Sequence, residues 1–331
     1  MITLGIESSC DETSCGILED SGRVLSNIIL SQKVHSDFGG VVPEIASREH
    51  NKYIYNILNE SLLKANIDLS DVDLIGVTNG PGLIGALMVG IAFAKGLSYS
   101  NNIPICAVNH LEGHILVNFI SENVKLPALV MLVSGGHTEL VYMKKIGHYK
   151  VLAKTIDDAA GELFDKVARI LGLGYPGGPE IEKISLSGDE YYLKLPIAVK
   201  GRMDFSFSGL KTSILYYYRN LSKEEKERRK ADIAASLQKS VADNLIDKID
   251  ITVQKYNPLS LVLSGGVAAN RYLRERLNTF SLENKIGFYV PPVELCTDNG
   301  IMIAKTAYEN YILNNKHHSI IPIPNLKLLE V

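Results

Sequence analysis

Three short runs open the chain, ITLGIESS, SCGILED and RVLSNIILSQ, in which apolar and polar positions follow a strand-like pattern. After the loop DFGGVVP the period lengthens. Ile54, Ile57, Leu58 and Leu62 recur at intervals of three and four, which predicts a helix over residues 44–65. A short apolar strand, DLIGVTNGPG, closes on a Gly/Pro turn; LIGALMVGIAFAKGLSYS reads as a buried helix, IPICAVNH as another strand, and a helix carrying His114 follows. The second half repeats this order. ALVMLVSGG, HTELVYMKK and YKVLAKTI are strand-like, and DDAAGELFDKVARILGL is helical, with Leu163, Val167 and Leu171 four apart. An insertion interrupts the repeat. In it SKEEKERRKADIAASLQKSVADNLIDKI starts with a capping box, Ser222 to Glu225, and places Ile233, Leu237, Val241, Leu245 and Ile249 at strict intervals of four. LSLVLSGG, the helix AANRYLRERLNTF, the strand IGFYVPP and a last helix from about Asp298 complete the second copy.

A strand–strand–strand–helix–strand–helix–strand–helix unit that occurs twice points to a duplicated α/β fold of the actin-like, Hsp70-like and sugar-kinase-like type (ASKHA), with two facing lobes and a central cleft. The expected lobes are residues 1–108 plus about 299–331, and residues 109–298 with a helical insertion over about 180–250. ESSCDET, NGPGL, SGGHT and SGGVAAN all sit where a strand gives way to a turn, the place where open α/β sheets bind ligands.

Composition narrows the class without naming it. The chain has 331 residues, 46% hydrophobic and 21% charged, which suits two globular domains and speaks against disorder. The run LIGALMVGIAFA is about twelve residues long before Lys95, against the roughly twenty that a bilayer span needs, so no membrane association is expected. MITLGIESS has no basic region followed by an apolar one, so no secretory signal is expected and the location is read as cytoplasmic. Cys10, Cys15, Cys106 and Cys296 form no C-x-x-C pair and read as free thiols. A net charge of −3 gives no global attraction to nucleic acid, so RNA would have to meet a local basic patch.

The stretch NHLEGH at 109–114 carries the clearest chemistry. At about 100° per helical residue, His110 and His114 fall about 40° apart and can share one metal ion, whereas Glu112 lies about 200° from His110. A zinc protease needs its glutamate directly after the first histidine, so the spacing supports a metal and opposes a protease. The duplication supplies a third ligand: Asp298 in TDNG opens the helix of the second copy equivalent to the one His110 and His114 open in the first, and pseudo-symmetry puts it across the cleft. Two His and one Asp leave coordination positions open, as a catalytic or substrate-binding divalent ion such as Fe2+ or Zn2+ requires. The plain alternative is a packed or solvated histidine pair.

Other residues suit an anionic ligand. Ser134, Gly135, Gly136, His137 and Thr138 in LVSGGHTEL form a turn whose glycines let backbone N–H groups approach a phosphate, against the reading of an ordinary β-turn. SGGVAAN at 264–270 repeats the theme ahead of a helix N-terminus, and YPGGPEIEK at 175–183 is a third glycine turn. Asp165 and Asn270 are candidate partners for ribose hydroxyls and an adenine edge. Asp11 and Glu12 in ESSCDET could orient a nucleophile or accept its proton, or be ordinary turn carboxylates. Lys211 is placed near the cleft rim. The mixed run SKEEKERRK could touch RNA phosphates, but basic residues interleaved with glutamates more often form a solvated helix face.

Together GIESSCDET, GGVVPEIASREH, GPGLIGALMVG, VNHLEGH, LVSGGHTEL, GELFDKVARILGLGYPGGPEIE, FSFSGLKTS, SGGVAANRYLR and CTDNGIMIA resemble the TsaD family, the bacterial tRNA N6-adenosine threonylcarbamoyltransferases, over nearly the whole chain. The resemblance implies transfer of the threonylcarbamoyl group from threonylcarbamoyl-AMP to the N6 amine of adenosine 37 in tRNAs that read codons beginning with adenine, with release of AMP. It carries the metal ligands over to His110, His114 and Asp298, and the adenylate-binding positions to Val133, Ser134, Gly135, Gly136, His137, Asp165, Gly178 and Asn270. A further family position, often Asp, is Glu182 here, one methylene longer. The implied partners are tRNA, a shorter ASKHA paralogue, a small P-loop ATPase and a separate enzyme that makes the adenylate. Two other classes stay open: a kinase or ATPase of the same fold, which would hold Mg²⁺ on carboxylates and have no use for a His–His–Asp group, and a non-catalytic scaffold, which would lack those ligands.

Overall fold

A computed structural model gives the architecture and describes residues 1–120, 123–197, 199, 202–313 and 319–328. In chain order its main elements are β1 (Ile2–Glu7), β2 (Glu12–Glu19), β3 (Arg23–Ser31), α1 (Pro43–Ala65), β4 (Leu74–Gly80), α2 (Ile84–Asn101), β5 (Ile105–Asn109), α3 (His110–Leu116), β6 (Ala128–Val133), β7 (Thr138–Lys145), β8 (His148–Lys154), α4 (Ala160–Leu171), α5 (Gly177–Ser185), α6 (Ser208–Arg219), α7 (Lys223–Tyr256), β9 (Ser260–Ser264), α8 (Arg271–Glu283), β10 (Gly287–Tyr289) and α9 (Gly300–Ile312). No described helix is long and apolar enough to cross a membrane.

The chain divides into a first unit, Met1–Asn123, Ile146–His148 and Thr297–Val331, and a second, Val124–Lys145 and Tyr149–Cys296. The first unit's sheet runs β3-β2-β1-β4-β5, with β1 antiparallel to β2 and parallel to β4. The second runs β10-β9-β6-β7-β8, with β6 antiparallel to β7 and parallel to β9. Reading each sheet from its three-strand meander outward gives the same order, so the duplication seen in the sequence is a duplication of topology.

Local chemistry sets the helix limits. Pro43 stands in the first turn of α1, where its missing N–H costs nothing, and Asn66 ends the helix in a left-handed conformation. Ser222 and Glu225 exchange side-chain and backbone hydrogen bonds at the start of α7. The series Ile233, Leu237, Val241, Leu245 and Ile249 is fully buried in the second unit's core, beside Leu163, Val167 and Phe164 of α4. This helix is therefore core structure, and it runs beyond the expected end of the insertion near residue 250 until left-handed Asn257 stops it after Tyr256. A second difference concerns Gly178, which lies in the first turn of α5 and not in a free glycine turn.

The first unit depends on how closely α9 lies on its sheet. A Cβ at Gly5 would meet the Gly300 carbonyl oxygen at 2.0 Å and the Ala304 nitrogen at 2.3 Å; one at Gly16 would meet the Ile301 nitrogen at 2.5 Å. Gly76 faces Ala307 in the same way. Glycines on three adjacent strands thus let a helix backbone touch the sheet directly, and Gly300 to Ala307 are buried. Asn299 caps α9 by accepting the Met302 N–H. This seating explains why the units depart from the expected lobes at 108/109 and 298/299: α3 and Thr297–Asp298 belong to the first unit, because α9 covers β1, β2 and β4 and α3 rests on α9. Asp298 is consequently a first-unit residue, not one brought from the second copy.

Adding a methyl at such a contact overpacks the helix against the sheet. Gly16→Ala should lower stability by about 1–3 kcal/mol or more, read as a lower thermal midpoint. Gly136→Ala, with open space around the position of a Cβ, should leave the midpoint nearly unchanged.

Candidate functional site

Strand β5 passes straight into α3, and Asn109 at the junction caps the helix by accepting the Leu111 and Glu112 N–H groups. That cap starts the helix at His110, so His110 and His114 fall one turn apart, with their rings edge to face at 4.7 Å. Asp298, just before α9, brings its Oδ1 to 3.1 Å from His114 Nε2 and 3.5 Å from His110 Nε2. One donor atom from each of the three lies within 4.8 Å of the others. Metal–ligand bonds of about 2.0–2.2 Å hold neighbouring donors about 2.9–3.5 Å apart, so the donor set and its spacing fit a metal ion with positions left open. Glu112 turns elsewhere and accepts from Asn310 Nδ2 at 3.3 Å, as its angle on the helix requires.

Beneath His110 lies a fully buried carboxylate, Glu7, the last residue of β1. Glu7 Oε2 is 3.1 Å from His110 Nδ1 and accepts from Thr78 Oγ1 at 2.6 Å, while its Oε1 accepts the Ser9 N–H. Burial alone would push His110 down, but the Asp298 and Glu7 carboxylates override it and push it up to about 9. Burial likewise opposes the charge of Glu7, and His110 overcomes it and holds the carboxyl below its ordinary value. The Glu7 carboxylate is an acceptor placed against Nδ1, and Nε2 faces Asp298. A histidine that ligates through Nε2 needs this second partner on Nδ1.

The turn between β1 and β2 borders the group. Buried His50 of α1 donates from Nε2 to the Cys10 carbonyl at 3.0 Å, which leaves Nδ1 to accept from Thr13 Oγ1 at 2.8 Å and fixes the turn that carries Asp11 and leads into Glu12 of β2. Burial, then the charges of Asp298 and Asp11, hold the Glu12 carboxyl well above the usual carboxylate range.

The remaining candidates gather in the second unit. Val133 ends β6, and Ser134–His137 is a tight hairpin turn in which the Ser134 N–H donates to the His137 carbonyl and the His137 N–H to Ser134 Oγ. Nothing lies within 4 Å of a Cβ built on Gly135, Gly136 or Gly178, so their backbones stand open to a ligand. Because β9 runs parallel to β6, the SGGV turn comes alongside: Gly265, at φ +89, would drive a Cβ to 2.4 Å from the Val133 carbonyl oxygen. The start of α4 closes the other side, with the Gly161 N–H on the Ser134 carbonyl. Asp165, one turn on, accepts the Gly177 N–H at 2.7 Å and so caps α5 next to Gly178. Asn270 caps α8 through the Leu273 N–H and donates to Gln238 Oε1 at 2.6 Å. Glu182 accepts the Arg271 N–H at the same helix start. Lys211 pairs with Asp158 at 3.0 Å, which gives it a structural partner.

The TsaD family model, described as tRNA N6-adenosine threonylcarbamoyltransferase, matches residues 23–305. The chain belongs to the TsaD family. A tRNA N6-adenosine threonylcarbamoyltransferase from Dictyoglomus turgidum is 52% identical over 94% of this chain and 94% of its own length. One from Thermosipho africanus is 49% identical over 99% of this chain and all of its own. Among solved structures, full-length HypF in the phosphate- and nucleotide-bound form aligns with TM-score 0.62 at 15% identity, over 96% of this chain and 47% of that one. The activator of 2-hydroxyisocaproyl-CoA dehydratase from Clostridium difficile aligns with TM-score 0.53 at 16% identity, over 96% and 100%. At such identities the likeness speaks for the fold alone, an ASKHA-type duplication.

Sequence reasoning missed Glu7, Thr78 and Gln238 in this TsaD-family chain. For Glu7 a signal was present: a carboxylate ending the buried, mostly apolar strand ITLGIE. Thr78 and Gln238 carried none, since only the fold brings them to Glu7 and Asn270. Glu7→Gln should weaken metal binding at the His–His–Asp group by about 10–100-fold, measured by competition with a chelator. Glu112→Gln should leave it unchanged; the reverse pattern would contradict the geometry.

Proposed function

We infer that this TsaD-family transferase moves the threonylcarbamoyl group of threonylcarbamoyl-AMP to the N6 amine of adenosine 37 in tRNAs reading codons that begin with adenine. The observation that supports this most directly is the convergence of His110, His114 and Asp298 in a chain matched along nearly its whole length by members of that family. His110, His114 and Asp298 are the metal ligands in this reading, and two imidazoles with one carboxylate suit Fe2+ or Zn2+. When bound, the ion supplies a Lewis acid toward oxygen atoms of the acyl-adenylate.

The chain's own residues do the rest. The donor is already activated, so the task is to hold AMP as leaving group and bring an amine to the carbonyl. The open backbone at Gly135, Gly136 and Gly178 admits the phosphate and ribose closely, and Asp165 and Asn270 flank them as polar partners. Val133, Ser134 and His137 fix the shape of the turn. In the transfer, the C–N bond forms as N6 attacks the carbamoyl carbon, the C–O bond to the phosphate breaks, and AMP leaves with that electron pair. The proton lost from nitrogen goes to a carboxylate at the start of β2, Asp11 or Glu12. Adenine N6 is a weak nucleophile, so positioning and electrostatic relief supply most of the rate. A base next to the anticodon sits in a loop and leaves its stack at modest cost. The shorter ASKHA paralogue, the P-loop ATPase and the adenylate-forming enzyme complete the proposed system, in the cytoplasm.

The test is a reconstituted reaction containing the chain, those partners, threonylcarbamoyl-AMP and unmodified tRNA, followed by nucleoside analysis. Wild type should form threonylcarbamoyladenosine, and Asp298→Ala should lower kcat/KM by about 100-fold or more. No modified adenosine from active components would refute the proposed function.

A further inference from the structure

A chain of net charge −3 can bind a polyanion only through a local concentration of positive charge. Between Glu139 and Asp157 the sequence carries Lys144, Lys145, Lys150 and Lys154 and no acidic residue. The run SKEEKERRK is richer in basic residues but interleaves them with glutamates, and two of its five basic side chains are paired: Glu227 holds Lys230 at 2.9 Å, and Arg229 pairs with Asp232 at 2.9 Å. The lysines of β7 and β8 are different. All four are exposed, as is Lys255 near the end of α7, and among the described residues no carboxylate pairs with any of the five.

Aromatic rings lie among them. Tyr142 of β7 and Tyr256 of α7 pack at 5.0 Å between centroids. Lys150 Nζ stands 5.9 Å and Lys255 Nζ 5.6 Å from the centre of the Tyr256 ring. Two ammonium groups converging on one ring, with no carboxylate to neutralise them, is an arrangement whose natural complement is negative charge. Unpaired lysines around half-buried tyrosines give the two elements that sequence-tolerant RNA contacts use, phosphate neutralisation and a flat ring for a base or ribose. Lysines on an edge strand also guard against strand pairing, and β8 is such a strand. That purpose does not account for Lys144 on the inner neighbour β7, or for Lys255 on a helix.

We propose that the patch of Lys144, Lys150, Lys154 and Lys255 around Tyr142 and Tyr256 is a docking surface for the phosphate backbone of the tRNA substrate. The proposal rests on the tRNA-modifying function inferred above. Contacts of this kind set affinity and its salt dependence and carry no base specificity.

The experiment measures the KM for tRNA in the reconstituted reaction and tRNA binding by the full chain, both across a potassium chloride series. It compares wild type, Lys144→Gln/Lys150→Gln/Lys255→Gln, and the control Lys223→Gln/Lys226→Gln. All substituted side chains are exposed or partly exposed, so a matching thermal midpoint verifies the fold. The triple variant should raise KM for tRNA about 10-fold or more near physiological salt, keep kcat within about twofold, and flatten the plot of log affinity against log salt by about 2 to 3. Tyr256→Ala should weaken binding without changing that slope. A triple variant with wild-type KM and slope overturns the surface, as does an equal loss in the control pair. If wild type itself forms no modified adenosine, the function is refuted; if wild type works and the triple variant matches it, only the surface is.

Discussion

The direct contact between α9 and the first sheet is the constraint on which the candidate centre depends. Helices ordinarily stand off a sheet by the depth of their side chains, but Gly5, Gly16 and Gly300 remove that layer where α9 begins. The seating fixes the residues just before the helix as firmly as the helix itself. Asp298 is two residues from Gly300, and Asn299 between them is committed to the cap. A side chain that a flexible loop would leave mobile is thereby held beside His110 and His114, on a helix whose own start is fixed by Asn109. Such precision matters, because a metal ligand displaced by an ångström is no longer a ligand.

The second requirement is electrostatic. Glu7 is fully buried, and a bare carboxylate there would be costly. Thr78, the Ser9 N–H and His110 Nδ1 together satisfy both of its oxygens. The same bonds orient the imidazole, so the interactions that make the buried charge tolerable also aim Nε2 at Asp298. The second unit uses helix starts for the corresponding purpose. Asp165 and Asn270 spend part of their bonding capacity as caps of α5 and α8. Both side chains are thus fixed by the helix starts they serve.

Much of this was legible in the chain, for identifiable reasons. Strands and helices followed from period: Ile233 through Ile249 at intervals of four could only be one buried helix face, and that face is in the core. The repeat of the element order predicted a duplication, and the two sheets share one strand order. His110 and His114 were legible because four residues make about one helical turn, and Asp298 because it opens the matching helix of the repeat. The unit to which Asp298 belongs was not legible. Repeat symmetry assigns it to the second copy, whereas the glycine contacts that bind α9 to the first sheet join residues nearly three hundred positions apart and have no local signature. Gly178 was read as a turn because Tyr-Pro-Gly-Gly is a breaker sequence, yet the Asp165 cap recruits those glycines into the start of α5. Glu7 was visible as an ionisable end to an apolar strand, but its partner could be named only once the strand was placed beside α3.

Two imidazoles from α3 and one carboxylate from the approach to α9 form a group that could hold one ion. Anomalous diffraction at the metal edge from crystals of the metal-loaded protein tests this directly. A single strong peak is expected within about 2.0–2.2 Å of His110 Nε2, His114 Nε2 and an Asp298 carboxylate oxygen. A peak ligated elsewhere, or by only one of these three residues, would contradict the assignment.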